Sequence, residues 1–596
     1  MAAPPKRHID TLLQQAVALQ QNNALAEAEE LYREILELRP KHFDAIQLLG
    51  TLALQSGRLQ EGIELLKKAV AINAMQAPIH SNLAFAYNAQ EQYKQALVSA
   101  NRALALQPNF ADALNNRGNA LAGLDMPGDA LISFDRAIAL KPEFAQAWSN
   151  RACVLRDLGH ADQALVSCDQ AIALSPRYAE AWSNRANALS DLSQPEEARL
   201  NYLRAIECAP ELADIWNNFG LTLADLNQRD EALQSYDRAL TLKPDYAEAQ
   251  WNASLCLLQM GRLEAGWKKY EWRWERRRIK PSQRVFEQAL WRGDFSISGK
   301  TILLHAEQGL GDTLQFCRYA ALVAKLGARV LLEVPPELMR LLAHLDGVTQ
   351  LIEQGQSLPE FDCHCPLLSL PLAFDTGLAT IPGTTPYLFA DHQAAQRWGA
   401  RLAADAPAAL KVGVVWAGGN RPHVAELRKN DARRSISLAQ LDPILDLPDI
   451  QFYSLQKGSA AQQLSQRLMP QIQPQLAPQA EPALTRRQAI RPIIDYTDEL
   501  HDFADTAALV ANLDLVISVD TSTAHLAGAM GKPVWILNRF DTCWRWMLER
   551  EDSPWYPDVR LFRQPALGDW GTVIHFVRTA LANLSTVAQA QGVNSV

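Results

Sequence analysis

From residue 9 to residue 246, apolar positions recur at helical spacing in two short runs per unit, and the unit is 34 residues long. Prolines at 40, 108, 142, 176, 210 and 244 mark this period, with Ala74 in the remaining slot. Five residues before the later prolines stand Ala103, Ala137, Ala171, Ala205 and Ala239, and twelve before stand Ala96, Ala130, Ala164, Ala198 and Ala232. Ten residues after each marker comes another small residue: Gly50, Ala84, Gly118, Ala152, Ala186, Gly220 and Ser254. Small residues at a fixed phase predict close helix crossings. Proline lacks an N–H and clashes with the preceding turn, so it predicts the end of each second helix. One helix–turn–helix unit cannot bury its apolar face alone. About seven stacked units therefore predict a continuous core and a superhelix with a concave groove. A degenerate eighth unit and junction occupies residues 247–280. Its Trp267, Tyr270, Trp272 and Trp274 are expected to dock the repeats onto the C-terminal half of the chain, with Arg276, Arg277 and Arg278 facing solvent.

Beyond residue 280 the pattern changes to short apolar strands alternating with helices, which argues α/β. Strands are expected at 301–305, 329–334, 348–352, 361–363, 412–417, 450–455, 515–519 and 534–536. Residues 281–391 and 408–575 then form two lobes, joined by a helix over 392–407 and followed by a C-terminal helix and tail over 576–596. Two Rossmann-like lobes with a cleft between them describe the GT-B architecture of sugar-nucleotide glycosyltransferases, where ligands sit beyond the carboxyl ends of strands.

Six asparagines share one phase of the repeat: Asn82, Asn116, Asn150, Asn184, Asn218 and Asn252. Asparagine is an indifferent helix former, so this register asks for a reason. A carboxamide both donates and accepts, so a stack of them can bond the N–H and C=O of an extended peptide whatever its side chains. The alternative is that each bonds the neighbouring repeat and sets the stacking. Trp148, Trp182 and Trp216, two residues before three of these positions, read as packing residues of the first helices.

In the α/β half, Gln308-Gly309-Leu310-Gly311-Asp312-Thr313 joins a strand to a helix. Gly309 and Gly311 allow a tight turn and close approach to a ligand, while Asp312 reads either as a helix cap or as a functional carboxylate facing the cleft. The full dinucleotide fingerprint is missing. Farther on, a strand delivers Asp520, then Thr521, Ser522 and Thr523 open a helix carrying His525. Hydroxyls and free N–H groups at a helix start suit a diphosphate; the alternative is an ordinary capped helix with a surface histidine. After a strand ending near Trp416, Gly418 and Gly419 lead into a polar loop. That loop suits a mobile cover whose Arg433, Arg434 or Ser435 touches phosphates. Lys457 is placed either to neutralise a departing diphosphate or as a surface lysine.

The repeat resembles the tetratricopeptide pattern, and its asparagine register is similar to the ladder of the O-GlcNAc transferase superhelix, which grips acceptor polypeptides. Over roughly residues 300–575 the two α/β motifs resemble bacterial heptosyltransferases: a strand, Gly-Asp turn and helix, then Asp520, Thr521, His525, Leu526, Gly531 and Pro533 in the family's second motif. The resemblance implies Asp312 as general base, residues 520–525 as the donor-binding segment, and inverting transfer without a metal. The Gln-Gly-Leu-Gly turn and the fused repeats depart from that family, so lipid-core heptose is not implied as substrate. The whole organisation resembles flagellin glycosyltransferases with tetratricopeptide repeats. That implies a nucleotide-sugar donor, diphosphate or monophosphate, and a Ser/Thr hydroxyl of a protein acceptor such as flagellin. Two alternatives stay open: a scaffold with an inactive α/β half, and a glycosyltransferase acting on lipid or surface polysaccharide.

Charge and cysteines narrow the classes further. A net charge of −9 gives no sign of nucleic acid or an anionic membrane as partner. No run approaches about 18 apolar residues and the start lacks a signal-peptide core, so a cytoplasmic protein without a transmembrane segment is expected. Eight cysteines are scattered, without the spacing of a zinc module or disulfide framework, so no metal and no cofactor is expected.

Overall fold

The computed structural model describes residues 6–276, 284–307, 309–407, 409–419, 425–472 and 493–593. It divides into two compact units, residues 1–222 and 223–596.

Among the described residues the repeats form sixteen helices, from Lys6–Gln21 to Leu263–Tyr270. All ten marker alanines, from Ala96 to Ala239, are 0% exposed, so the fixed phase of small residues is a row of crossings. At Gly118 the crossing admits no side chain at all, because a Cβ there would come within 2.5 Å of the Phe134 ring. The joint inside each pair obeys the same period. Asn23, Gly57, Glu91, Asp125, Gly159, Ser193, Asn227 and Gly261 all have left-handed backbone, with φ between 58° and 85°. Glycine holds only three of these eight joints. At the others an L-residue accepts strain of about 1–2 kcal/mol to close the turn. The indole N–H groups of Trp148, Trp182 and Trp216 each donate to a marker proline carbonyl, those of Pro142, Pro176 and Pro210, at 2.9 Å. These tryptophans fasten each first helix to the turn before it, as packing residues do.

In the second unit two parallel sheets are formed. The first contains β1 (Ala289–Leu290), β2 (Thr301–His305), β3 (Arg329–Val334), β4 (Gln350–Glu353) and β5 (Cys363–Pro366), in the order β1-β5-β2-β3-β4. The second contains β6 (Leu410–Val415), β7 (Ile450–Ser454), β8 (Ile494–Asp495), β9 (Leu515–Val519), β10 (Val534–Asn538) and β11 (Val559–Arg563), in the order β11-β10-β9-β6-β7-β8. The connecting helix spans His392–Asp405, capped by Asp391, whose carboxylate accepts the Ala394 N–H at 2.8 Å.

The last repeat-like helices share a core with the first sheet: Trp251, Leu258, Leu263, Trp267 and Tyr270 pack in one cluster with Ile302, Leu304 and Phe316. Trp267 is 1% exposed, donates to Thr376 O at 3.0 Å and meets Trp544 edge-on at 5.2 Å. Trp267 and Tyr270 therefore dock as expected. Arg276 does not face solvent: it is half-buried over the Trp251 ring at 5.1 Å. Arg277 and Arg278 lie outside the described residues.

Candidate functional site

In open parallel sheets the crevice for a ligand lies outside the strand carboxyl ends, where the strand order reverses. The order β11-β10-β9-β6-β7-β8 reverses between β9 and β6, and β1-β5-β2-β3-β4 reverses between β5 and β2. Asp520 follows β9, Trp416 follows β6, and the Gly-Leu-Gly-Asp turn follows β2. Both motifs singled out in the sequence thus stand at reversal points of their sheets.

The helices they open, Leu310–Phe316 and Ser522–Ala529, pack on each other. A Cβ on Gly311 would lie 3.0 Å from His525 Cδ2 and 3.4 Å from Ser522 Cα. Gly311 therefore makes room for the approach of His525 and Ser522. Gly309, at φ −65° and ψ 162°, sits in ordinary extended backbone, where an added Cβ would meet only Asp312 Oδ2 at 3.7 Å.

Asp312 does act as a capping residue. Its Oδ2 accepts the Gly309 N–H at 3.1 Å. Its Oδ1 pairs with the Arg545 guanidinium, which also donates from Nε to Gln315 Oε1 at 2.8 Å. Arg545 had no signal in the sequence, being one arginine in a loop after β10. Burial opposes its charge, yet Asp312, followed by Cys543, Tyr270 and Asp520, raises its pKa further.

His525 is 4% exposed, not a surface residue. Its Nδ1 faces the Tyr556 hydroxyl at 2.9 Å, its ring stacks on Trp546 at 5.3 Å, and Nε2 lies 3.9 Å from Asp520. Burial drives its pKa down to about 3; Asp520 pulls the other way and Arg545 and Arg318 add to the fall, so the ring is neutral at ordinary pH. Burial alone would raise the Asp520 carboxyl, but His525, Arg434 and Arg545 outweigh it and hold it below the usual range. Of these only the two guanidiniums stay charged at neutral pH.

At the helix start, Thr521 is extended and its Oγ1 lies 2.9 Å from Ser518 Oγ, with no cap bond from its side chain. The first intrahelical bonds are donated by Ala524 and His525 to Thr521 O, so the Ser522 and Thr523 amides precede them.

The polar segment is tied by ion pairs where it is described. Arg433 Nη1 lies 2.9 Å from both Asp225 and Asp541, and Lys429 Nζ lies 2.7 Å from Asp225. Ser435 Oγ accepts the Gly418 N–H at 3.1 Å. Arg434 alone of the three reaches the segment after β9, donating to the Asp520 carbonyl at 3.2 Å and to Asp431 at 2.7 Å. A Cβ on Gly418 would come within 2.4 Å of that guanidinium, so the glycine makes room for Arg434. Lys457 points its ammonium at the Thr497 and Leu500 carbonyls, 2.6 Å from each, which ties down a loop.

Among the repeat asparagines the amide nitrogens serve the stack. Asn82 donates to Thr51 Oγ1 at 3.2 Å, Asn116 to Ser81 O at 3.0 Å, Asn150 to Asn115 Oδ1 at 3.0 Å and Asn184 to Ser149 Oγ at 2.9 Å. Asn218 Oδ1 accepts from Asn217 at 3.1 Å, and Asn252 lies in the second unit. The stacking role is thus filled by the donor half of four carboxamides. Asn150 also lines a pocket of about 430 Å³ with Phe85, Asn88, Asn119, Phe134 and Cys153. There Asn88 Oδ1 is buried without a partner.

Among the described residues no group of three His, Cys, Asp or Glu side chains is placed to hold a metal, and no helix is long and apolar enough to cross a membrane.

Tetratricopeptide-repeat models match residues 19–84, 83–145, 145–178 and 167–200, and a TPR-repeat model matches 220–261. Protein FlbA of Caulobacter vibrioides is 25% identical over 344 residues, covering 55% of this chain and 53% of FlbA. The chain therefore spans about half the length of that curated relative. A solved tetratricopeptide repeat protein from Parabacteroides merdae is 18% identical, covers 42% of this chain and 99% of its own, and superposes with a TM-score of 0.37. The TPR protein YrrB, described as having an unusual peptide-binding site, is 26% identical over 31% of this chain and 95% of its own, with a TM-score of 0.24.

Proposed function

We propose that this chain is an inverting, metal-independent glycosyltransferase of GT-B architecture. It moves a sugar from a nucleotide-sugar to a Ser or Thr hydroxyl of a polypeptide held along its repeats. The observation that carries this reading is the packing of Gly311 against His525 and Ser522, which joins two motifs some two hundred residues apart in the chain. The donor phosphate would lie at the start of Ser522–Ala529, taking the Ser522 and Thr523 amides and the Thr521 hydroxyl, with Arg434 behind Asp520. Negative charge developing on the leaving phosphate is stabilised there. Asp312 takes the proton of the acceptor hydroxyl, whose oxygen bonds the anomeric carbon as the carbon–phosphate oxygen bond breaks.

For the acceptor, nothing among the described residues donates to Oδ1 of Asn82, Asn116, Asn150 or Asn184. A ladder would therefore work through these oxygens, accepting peptide N–H groups. A second reading, an inactive scaffold, is favoured by Lys457 and both Asp312 oxygens being engaged within the chain.

Incubation with labelled sugar nucleotides and candidate acceptors, flagellin and lipid fractions among them, separates the readings. Label on protein, lost in Asp312→Asn, is the expected result. Label on lipid alone removes the protein acceptor, and full turnover by Asp312→Asn removes the base.

A further inference from the structure

Arg545 is committed to the Asp312 carboxylate. Its side chain is 12% exposed. Besides pairing with Asp312, it donates from Nε to Gln315 at 2.8 Å and from Nη1 to Cys543 Sγ at 3.2 Å, and it rests 4.2 Å from the Trp544 ring centroid. Asp520 lies within the field of the same guanidinium. Beside it, Gln315 is 0% exposed, yet its Nε2 has no hydrogen-bond partner. A buried amide donor without an acceptor is costly, so the surroundings of Arg545 are not fully satisfied by the pairing with Asp312.

The pairing also has a consequence for Asp312. Its Oδ1 already accepts from Arg545 and its Oδ2 from the Gly309 amide, so a hydroxyl reaching this carboxylate must share an oxygen with one of them. Release by Arg545 would leave Oδ1 wholly to the acceptor hydroxyl.

Resting on the reading of the Ser522–Ala529 start as the donor site, we propose that Arg545 is a partner-exchanging switch: it pairs with Asp312 and turns to the donor phosphate when that arrives, releasing Asp312. The exchange itself breaks no covalent bond. In the subsequent transfer, the acceptor proton goes to Asp312, the acceptor oxygen bonds the anomeric carbon, and the departing phosphate oxygen keeps the electron pair beside Arg545. Release of the base is thereby tied to arrival of the donor.

Competition of Asp312 and phosphate for one cation has a thermodynamic signature. By linkage, removing the carboxylate must tighten phosphate binding. The test is isothermal titration of the full chain with inorganic pyrophosphate and with UDP, GDP, ADP and CMP. Asp312→Asn is expected to bind about ten-fold more tightly than the unaltered chain, within the range of such couplings. Arg545→Gln is expected to bind at least about ten-fold more weakly, and Arg545→Lys less weakly, because it keeps the charge but not the fork.

The double variant Asp312→Asn/Arg545→Gln decides the mechanism. Under partner exchange the gain from Asp312→Asn vanishes when Arg545 is absent. A gain that persists there comes from general charge removal and overturns the switch, as does an Asp312→Asn protein with unchanged or weaker affinity. If circular dichroism shows that Arg545→Gln does not fold, the same cycle is run with Arg545→Lys, where the gain must shrink. Failure of the unaltered chain to bind any of these phosphates overturns the donor-site reading itself, a separate outcome from failure of the switch alone.

Discussion

Replacing Arg433 by methionine tests whether the Ala425–Arg434 helix is fixed by buried charge. Arg433 is 6% exposed, as is Asp541, and one of its nitrogens serves both Asp225 and Asp541 at 2.9 Å. Removing one partner of a buried pair costs about 3–5 kcal/mol. Two facts place this case at the lower end. Nε and Nη2 of the same guanidinium are buried without partners, so methionine relieves their desolvation. Lys429 also remains on Asp225 at 2.7 Å, and Arg539 on Asp541 at 3.5 Å.

The expected loss is about 3 kcal/mol at pH 7, and its pH dependence follows from Asp225. Burial would raise that carboxyl, but Lys429 and Arg433 bring it from 3.8 down to about 2. A folded value below the unfolded one gives stability that is complete above about pH 4 and lost as pH falls through about 2. The shift is worth about 2 kcal/mol, part of which Arg433 supplies. The difference between the two proteins should therefore shrink to about 1–2 kcal/mol near pH 2.5. Urea unfolding followed by tryptophan fluorescence at both pH values measures it. A difference below about 1 kcal/mol at pH 7, or one equal at both pH values, would refute the reasoning.

Four further outcomes are expected. Gly311→Val should cost about 2 kcal/mol by pressing on His525, whose ring is held by Tyr556 and Trp546. Gly309→Ala should stay within about 0.5 kcal/mol, since the loss of a favourable cap residue offsets the gain in chain stiffness; urea midpoints compare the two. Gly57→Ala meets no atom within 4 Å, so thermal melting should read backbone strain alone, about 1 kcal/mol at φ 75°. His525, held neutral with a pKa of about 3, should cost stability at about 1.4 kcal/mol per unit as pH falls below 6.5. His525→Phe should flatten that slope between pH 6.5 and pH 4.5, and an unchanged slope assigns it to other groups.

The repeats were legible because nearest-neighbour contacts recur: the alanine at each crossing meets the same surroundings 34 residues later, so packing writes a period into the sequence. The central strands β2, β3, β6, β7, β9 and β10 were legible as apolar runs, since both faces of a parallel sheet are covered. β1 and β8, two residues each, were not, because they are strands only by virtue of the neighbours they pair with. The left-handed joints escaped notice for a related reason: Glu91 and Ser193 give no local sign of positive φ, and the closing of the helix pair imposes it.

The two chemical motifs were visible as turns and helix starts. What they touch was not. A single contact across the fold, such as Arg545 on Asp312 or Lys457 on two carbonyls, leaves no period and no spacing behind. The sequence by itself determined the helix pairs, the change to α/β and the places where strands hand over to helices, because each follows from local covering of apolar surface. Only the tertiary structure decided that Asp312 is engaged, that His525 is buried and neutral, and that the asparagine nitrogens face the stack, because distant charges and donors settle on partners only once the chain has closed around them.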